Sequence, residues 1–262
     1  MLNLYLLRHG ETEFSRGDRF CGDIDAPLTT AGELMAERFA AAYGAMRWRA
    51  IVTSTRRRTI ATAAPVAERA GMLIRRDPRL DEMYFGSWQG LTKKEASVRD
   101  PARYARWRCD PMVGAPAGES PYDVSARALA AIDDLRARYD SGNVLIVSHK
   151  TVLRLVFCRL LNIELRRYRE CVDWSTCALT VLELGPCHAV ARLITDESHL
   201  FPQPRRHLVR EQLAGWREPD PRLVDGDPAG GRGALDLELT TDHGVDAMAG
   251  AMGGASDPGG GS

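Results

Sequence analysis

The chain has 262 residues, 44% of them hydrophobic, and its 35 lysines and arginines balance 35 aspartates and glutamates. That size supports one substantial core, and zero net charge provides no global field to draw the protein onto nucleic acid or an anionic membrane, so neither is expected as a partner. The six cysteines have no CxxC spacing, which argues against a zinc site or a redox motif and reads as reduced thiols.

An apolar run beginning almost at the N-terminus predicts a buried strand that ends by delivering Arg8 and His9 to its exit, where open α/β sheets place chemistry. No basic and apolar leader precedes it, and no apolar run is long enough to span a bilayer, so the cytoplasm is the default location. Residues 12–27 read as a long loop of the functional kind. Thr29 or Thr30 then caps a helix over about 31–43, with Leu34, Phe39, Ala41 and Ala42 available for burial. A short strand is expected at 50–53, and Ser54 is the expected cap of the arginine-rich helix that follows it.

Further on, 73–76 reads as an edge strand, 80–90 as a loop, 92–107 as helical pieces and 110–118 as an irregular rim set by proline and glycine. Val124, Ala128, Ala131, Ile132 and Leu135 recur at helical spacing, with Gly142 expected to end that helix before a strand at 143–148. A strand-to-helix switch follows at His149, then a buried helix over about 151–161 and two β runs at 177–184 and 189–194. The alternation predicts an α/β fold, a three-layer α/β/α sandwich with a mostly parallel central sheet, over residues 1–202. Residues 203–262, rich in Gly, Pro and Asp, read as a disordered tail.

Four separated segments carry candidate chemistry: Arg8-His9-Gly10-Glu11; Ser54 through Arg58 to Thr62-Ala63; Asp81-Glu82-Met83-Tyr84-Phe85-Gly86; and Val147-Ser148-His149. Together, over about residues 2–200, they resemble the histidine phosphatase superfamily, the phosphoglycerate mutase-like proteins. The resemblance implies a phosphoglycerate mutase-like fold and assigns roles by position. His9 is the nucleophile that becomes a phosphohistidine, Arg8 and Arg58 hold the phosphoryl oxygens, Glu82 is the proton donor, and His149 hydrogen-bonds the transferring group. Planar guanidinium groups suit phosphate bidentately, and a cationic setting also keeps His9 unprotonated.

Several positions depart from the family pattern. Thr55 and Arg56 stand where proline and leucine are common, and Arg56 and Arg57 read chiefly as a solvated face. Lys150 replaces the usual glycine after the second histidine; a lysine at a helix N-terminus opposes the dipole and hints at a nearby anion, or else simply reaches solvent. Ser15 stands where asparagine often contacts phosphate, and Cys21, in the loop with Gly22, where glutamine is common; a free cysteine is more often a small buried hydrophobe. Asp81 is the rival acid to Glu82, and Trp88 reads as packing.

No carboxylate cluster has metal-ligand spacing, so metal-independent turnover without a cofactor is expected. The leading functional reading is a phosphatase acting on a small phosphorylated metabolite. A phosphoglycerate mutase would use the same residues, although the stretch from Glu82 to His149 is short for one. A non-catalytic phospho-ligand module is the third reading. A homodimer is expected only by analogy with the family.

Overall fold

The computed structural model describes residues 1–201; residues 203–262, read above as a tail, lie outside that span. A six-stranded sheet forms the middle layer, from β1 (Leu2–Arg8), β2 (Trp48–Thr53), β3 (Ile74–Arg76), β4 (Gly142–Ser148), β5 (Leu179–Leu184) and β6 (Ala189–Asp196). The strand order is β3-β2-β4-β1-β5-β6. β3, β2, β4 and β1 run parallel, while β5 pairs antiparallel with both β1 and β6.

Helices cover both faces, which explains why the central strands are apolar without interruption. Leu4 and Leu6 of β1 and Val144 and Ile146 of β4 belong to one core, shared with α6 (Pro121–Arg138) and α7 (Lys150–Leu160). Leu7 of β1 and Leu145 and Val147 of β4 turn to the opposite core, shared with α2 (Thr30–Tyr43) and α3 (Arg57–Ala70). The period-2 alternation of a strand thus feeds two separate cores, giving the expected three layers.

The chain leaves β1 towards α2 on one face and leaves β4 towards α7 on the other. Two adjacent parallel strands whose following helices diverge open a crevice at their C-terminal ends, the usual ligand position of such sheets.

Local readings needed correction in four places. The 12–27 loop contains one helical turn, α1 (Glu13–Arg16), nucleated by a capping box between Thr12 and Ser15. In α2 the buried residues are Gly32, Ala36, Phe39 and Ala40, so Phe39 is buried as expected, whereas Leu34 is 51% exposed and Ala41 and Ala42 face solvent. The helical pieces expected after residue 92 are, as read, two helices, α4 (Lys93–Arg99) and α5 (Pro101–Cys109), parted because Pro101 pushes Asp100 out of helical geometry. α6 already stops at Arg138, and Gly142 instead opens β4 at a φ of 102°. Ser54 is not the N-cap of α3: that residue is Arg56, which has no side-chain cap bond; Ser54 Oγ accepts the Arg56 N–H, at 3.2 Å, while the Arg57 N–H that opens the helix donates to Asp25 at 2.7 Å and the Thr55 N–H ahead of it to Asp81 at 2.7 Å. Trp88 is fully buried, with its indole N–H on Asp100 at 2.9 Å.

Candidate active site

Parallel pairing in register places Arg8 beside Ser148, so the two histidines leave the sheet side by side. The His9 N–H donates to the Ser148 carbonyl at 3.0 Å, and the imidazole centroids of His9 and His149 lie 5.2 Å apart. His9 Nδ1 lies 2.7 Å from the Gly10 carbonyl, which can only accept, so Nδ1 carries the proton and Nε2 holds the lone pair. Burial first, then the Arg58 and Arg8 charges, hold the His9 pKa well below the ordinary histidine value, so the ring is neutral. Gly10 allows a close backbone approach here: a Cβ would lie 2.6 Å from the Gly32 carbonyl oxygen in the first turn of α2.

Arg58, from the first turn of α3, is 1% exposed and held by three acceptors. Its Nη1 donates to the Ile24 carbonyl at 2.8 Å, its Nη2 to the Gly22 carbonyl at 2.9 Å and its Nε to His149 Nδ1 at 3.2 Å. Gly22 therefore acts by fixing Arg58; it adopts φ +56°, and its Cβ position is blocked by the Gln89 side chain, 2.1 Å away. Because Arg58 donates to Nδ1, the proton of neutral His149 sits on Nε2, which donates to Ser54 Oγ at 2.8 Å. Burial, with the Arg58 charge next, keeps His149 deprotonated at Nδ1. Its ring stands behind Arg58 and does not line the cavity.

That cavity, about 370 Å³, opens over His9, Arg8, Arg58 and Glu82. Arg8 Nη1 donates to the Trp174 carbonyl at 2.7 Å, while its Nε is buried without a partner. Burial pulls the Arg8 pKa down to about 10, which leaves it charged near neutrality. Glu82 accepts from the Met83 N–H at 2.9 Å through Oε1, and its Oε2 stands 3.5 Å from the Thr151 N–H. Its loop is clamped by Arg127 of α6, which donates to the carbonyls of Arg79, Asp81 and Glu82 at 2.8, 2.7 and 3.2 Å. The rival acid is turned away: Asp81 pairs with Arg56 at 2.9 Å and takes both Thr55 donors. Arg56 is neither a solvated residue nor a cavity residue, since it ties Asp81 to the Asp23 carbonyl.

Three further sequence candidates line the cavity. The Ser15 hydroxyl is spent on the α1 capping box, accepting from the Thr12 N–H at 2.8 Å and donating to the Thr12 carbonyl at 2.9 Å. Cys21 donates to the Ile24 carbonyl at 3.4 Å, and burial pushes its pKa up, so it is a thiol. Lys150 Nζ pairs with Asp173 at 3.0 Å.

The sequence profile of the histidine phosphatase superfamily, branch 1, matches residues 4–197. The chain belongs to the histidine phosphatase superfamily. Over 134 residues it is 37% identical to glucosyl-3-phosphoglycerate phosphatase of Mycobacterium tuberculosis, a match spanning 51% of the chain and 60% of that relative. Phosphoserine phosphatase 1 of Hydrogenobacter thermophilus is 29% identical over 169 residues, 64% of the chain and 80% of the relative. Among solved structures, Bacillus stearothermophilus YhfR superposes with a TM-score of 0.72 at 32% identity, over 77% of this chain and all of that one. A mycobacterial glucosyl-3-phosphoglycerate phosphatase complexed with VO3 gives 0.70 at 28% identity, over 74% and 99%. Among the described residues no helix is long and apolar enough to cross a membrane.

Superfamily motifs point to the strand ends and miss the outer cavity. Arg154 of α7 lines it, with Nε buried and unpartnered and Nη2 on Asp173 at 3.2 Å. Its position four residues after Lys150 was the available signal, because that spacing puts both on one helix face. Arg169 also lines the cavity, stacked 4.0 Å over the Trp107 ring and donating to the Tyr168 hydroxyl at 2.9 Å. Nothing in the local sequence paired residues 107 and 169, since their contact depends on how α5 meets the chain after α7.

Proposed function

We propose that the protein is a phosphatase that hydrolyses a small phosphomonoester through a phosphohistidine on His9. The observation that carries this reading is the fixed tautomer of His9: its proton is committed to the Gly10 carbonyl, so Nε2 is a lone pair flanked by two guanidinium groups. Arg8 and Arg58 hold the phosphoryl oxygens and stabilise the charge they carry in the transition state. Nε2 bonds to phosphorus as the ester P–O bond breaks, and the Glu82 carboxyl gives its proton to the departing alkoxide. Water then attacks the phosphohistidine, Glu82 takes its proton, the P–N bond breaks and inorganic phosphate leaves. His149 positions Arg58 through Nδ1 in this scheme.

Hydrolysis is favoured over phosphoryl return by the relatives, which carry phosphatase names, and by the short interval from Glu82 to His149. The test is phosphate release from p-nitrophenyl phosphate and a metabolite panel, with His9→Ala as the blank. We expect turnover to fall by at least about 10³-fold in that variant and acid-labile phosphate to be trapped on wild-type His9 after rapid quenching. Turnover that survives the substitution, or conversion of 3- to 2-phosphoglycerate without phosphate release, overturns the reading.

A further inference from the structure

We infer that Cys158 and Cys171 form an oxidation site, where a hydroperoxide joins the two sulfurs in a disulfide that loosens the hold on Arg8 and lowers turnover; the effect on turnover rests on the phosphatase reading above, the disulfide does not. The two Sγ atoms lie 3.3 Å apart, although the residues are 13 positions apart in the chain and share no motif. A disulfide closes at about 2.05 Å, so the sulfurs need to approach by roughly another 1.2 Å.

The two cysteines differ in the way such a pair requires. Cys158 is fully buried in α7, and burial, with the Cys171 hydrogen bond next, pushes its pKa up, so it waits as a thiol. Cys171 is half-buried in the irregular segment after the turn Leu165–Arg167, and is the sulfur that an oxidant meets first. With hydrogen peroxide, the Cys171 sulfur attacks one peroxide oxygen, the O–O bond breaks, and the thiol proton leaves with the expelled hydroxide as water. The Cys158 sulfur then attacks the sulfur of the Cys171 sulfenic acid, the S–O bond breaks, and the Cys158 proton leaves with that hydroxide as a second water. One peroxide is thus reduced to two waters as two thiols are oxidised to one disulfide.

The new bond has a route to the site. α7 packs into the core while the segment around Cys171 is irregular, so the approach of the sulfurs falls on that segment. It carries parts of the cavity on both sides of Cys171. Tyr168 and Arg169 line the cavity before it. After it, Asp173 pairs with Lys150 and Arg154, and the Trp174 carbonyl accepts from Arg8 Nη1 at 2.7 Å. A displacement drawn from residue 171 therefore reaches the acceptor that aims Arg8 at the phosphoryl group, where a shift of about 1 Å costs on the order of 10²-fold.

The test treats the full chain with hydrogen peroxide, maps disulfides by non-reducing peptide mass spectrometry, and measures inorganic phosphate binding by calorimetry and kcat/KM with p-nitrophenyl phosphate. We expect a linked Cys158–Cys171 peptide, with phosphate affinity and kcat/KM each lower by about tenfold or more and both restored by dithiothreitol. Cys171→Ser and, separately, Cys158→Ala should abolish the link and hold both measurements within about twofold of their untreated values, read from whichever variant keeps its near-UV circular dichroism. A double variant without the two exposed thiols, Cys109→Ser with Cys187→Ser, should still form the link and lose activity. Absence of the linked peptide from oxidised wild type, a linked protein with unchanged phosphate affinity, or losses that persist in a folded Cys171→Ser or Cys158→Ala variant overturns the inference. A reduced protein that releases no phosphate from any ester, while the link still lowers phosphate affinity, overturns the phosphatase reading alone.

Discussion

The His149 imidazole spends both ring nitrogens on the protein, and this decides what it can do. Arg58 Nε–H points at Nδ1 and Nε2–H points at Ser54 Oγ, which in turn lies 2.8 Å from Thr59 Oγ1; Thr59 can then donate to the Arg56 carbonyl at 2.8 Å. Such a donor chain fixes the tautomer and, through it, the plane of the Arg58 guanidinium. Ser54→Ala removes the acceptor of Nε2–H and leaves a buried donor unsatisfied, at about 1–3 kcal/mol. We expect a Tm lower by on the order of 5 °C by calorimetry, together with a higher KM for p-nitrophenyl phosphate as Arg58 loosens. A variant as stable and as active as wild type would show that the chain does not position Arg58. The motif around Ser54, Arg58 and His149 was legible in the sequence, but their mutual bonding was not, because residues 54 and 149 meet only through the β2–β4 register.

Among elements, the strands and their order of use were the most legible, since alternation and unbroken apolar runs report burial on both faces directly. Boundaries were less so: Ser54 has the chemistry of a cap, yet the N-cap falls two residues later, the Ser54 Oγ reaches the Arg56 N–H, and Asp25 from a distant loop takes the first helix amide. The contact between the β1 exit and α2 was likewise invisible, because it depends on two glycines, Gly10 and Gly32, meeting backbone to backbone. This packing carries a consequence for activity. Gly10→Ala would drive a methyl group to 2.6 Å from the Gly32 carbonyl, so the residue whose own carbonyl anchors His9 Nδ1 must shift. A displacement approaching 1 Å at a nucleophile costs on the order of 10²-fold. We expect kcat to fall by about that factor in a protein that still folds, with circular dichroism and steady-state kinetics as the paired readout.

At the scale of the molecule, burial of imidazoles couples the whole fold to pH. His9 and His149 are held neutral at the strand ends, and His199 packs against the Phe39 and Tyr43 rings with both ring nitrogens buried. Burial lowers all three pKa values relative to the unfolded chain. Below about pH 6.5 the unfolded state therefore binds protons that the folded state refuses, and stability falls with pH until each folded pKa is reached. Each group contributes up to about 1.4 kcal/mol per pH unit in that window. The carboxylates with depressed values, among them Asp77, Asp173 and Glu183, act at lower pH, because their unfolded counterparts titrate near 4. Urea denaturation at intervals from pH 8 to pH 5 should thus give a flat region above about 6.5 and a decline below it. His199→Phe keeps the aromatic slot filled, removes one titrating group and does not touch the cavity. We expect its stability to match or exceed that of wild type at pH 8, and its decline below pH 6.5 to be shallower by up to one proton. An unchanged slope in this variant would mean that His199 titrates in the folded chain as it does in the unfolded one, and that the decline belongs to the two imidazoles at the strand ends.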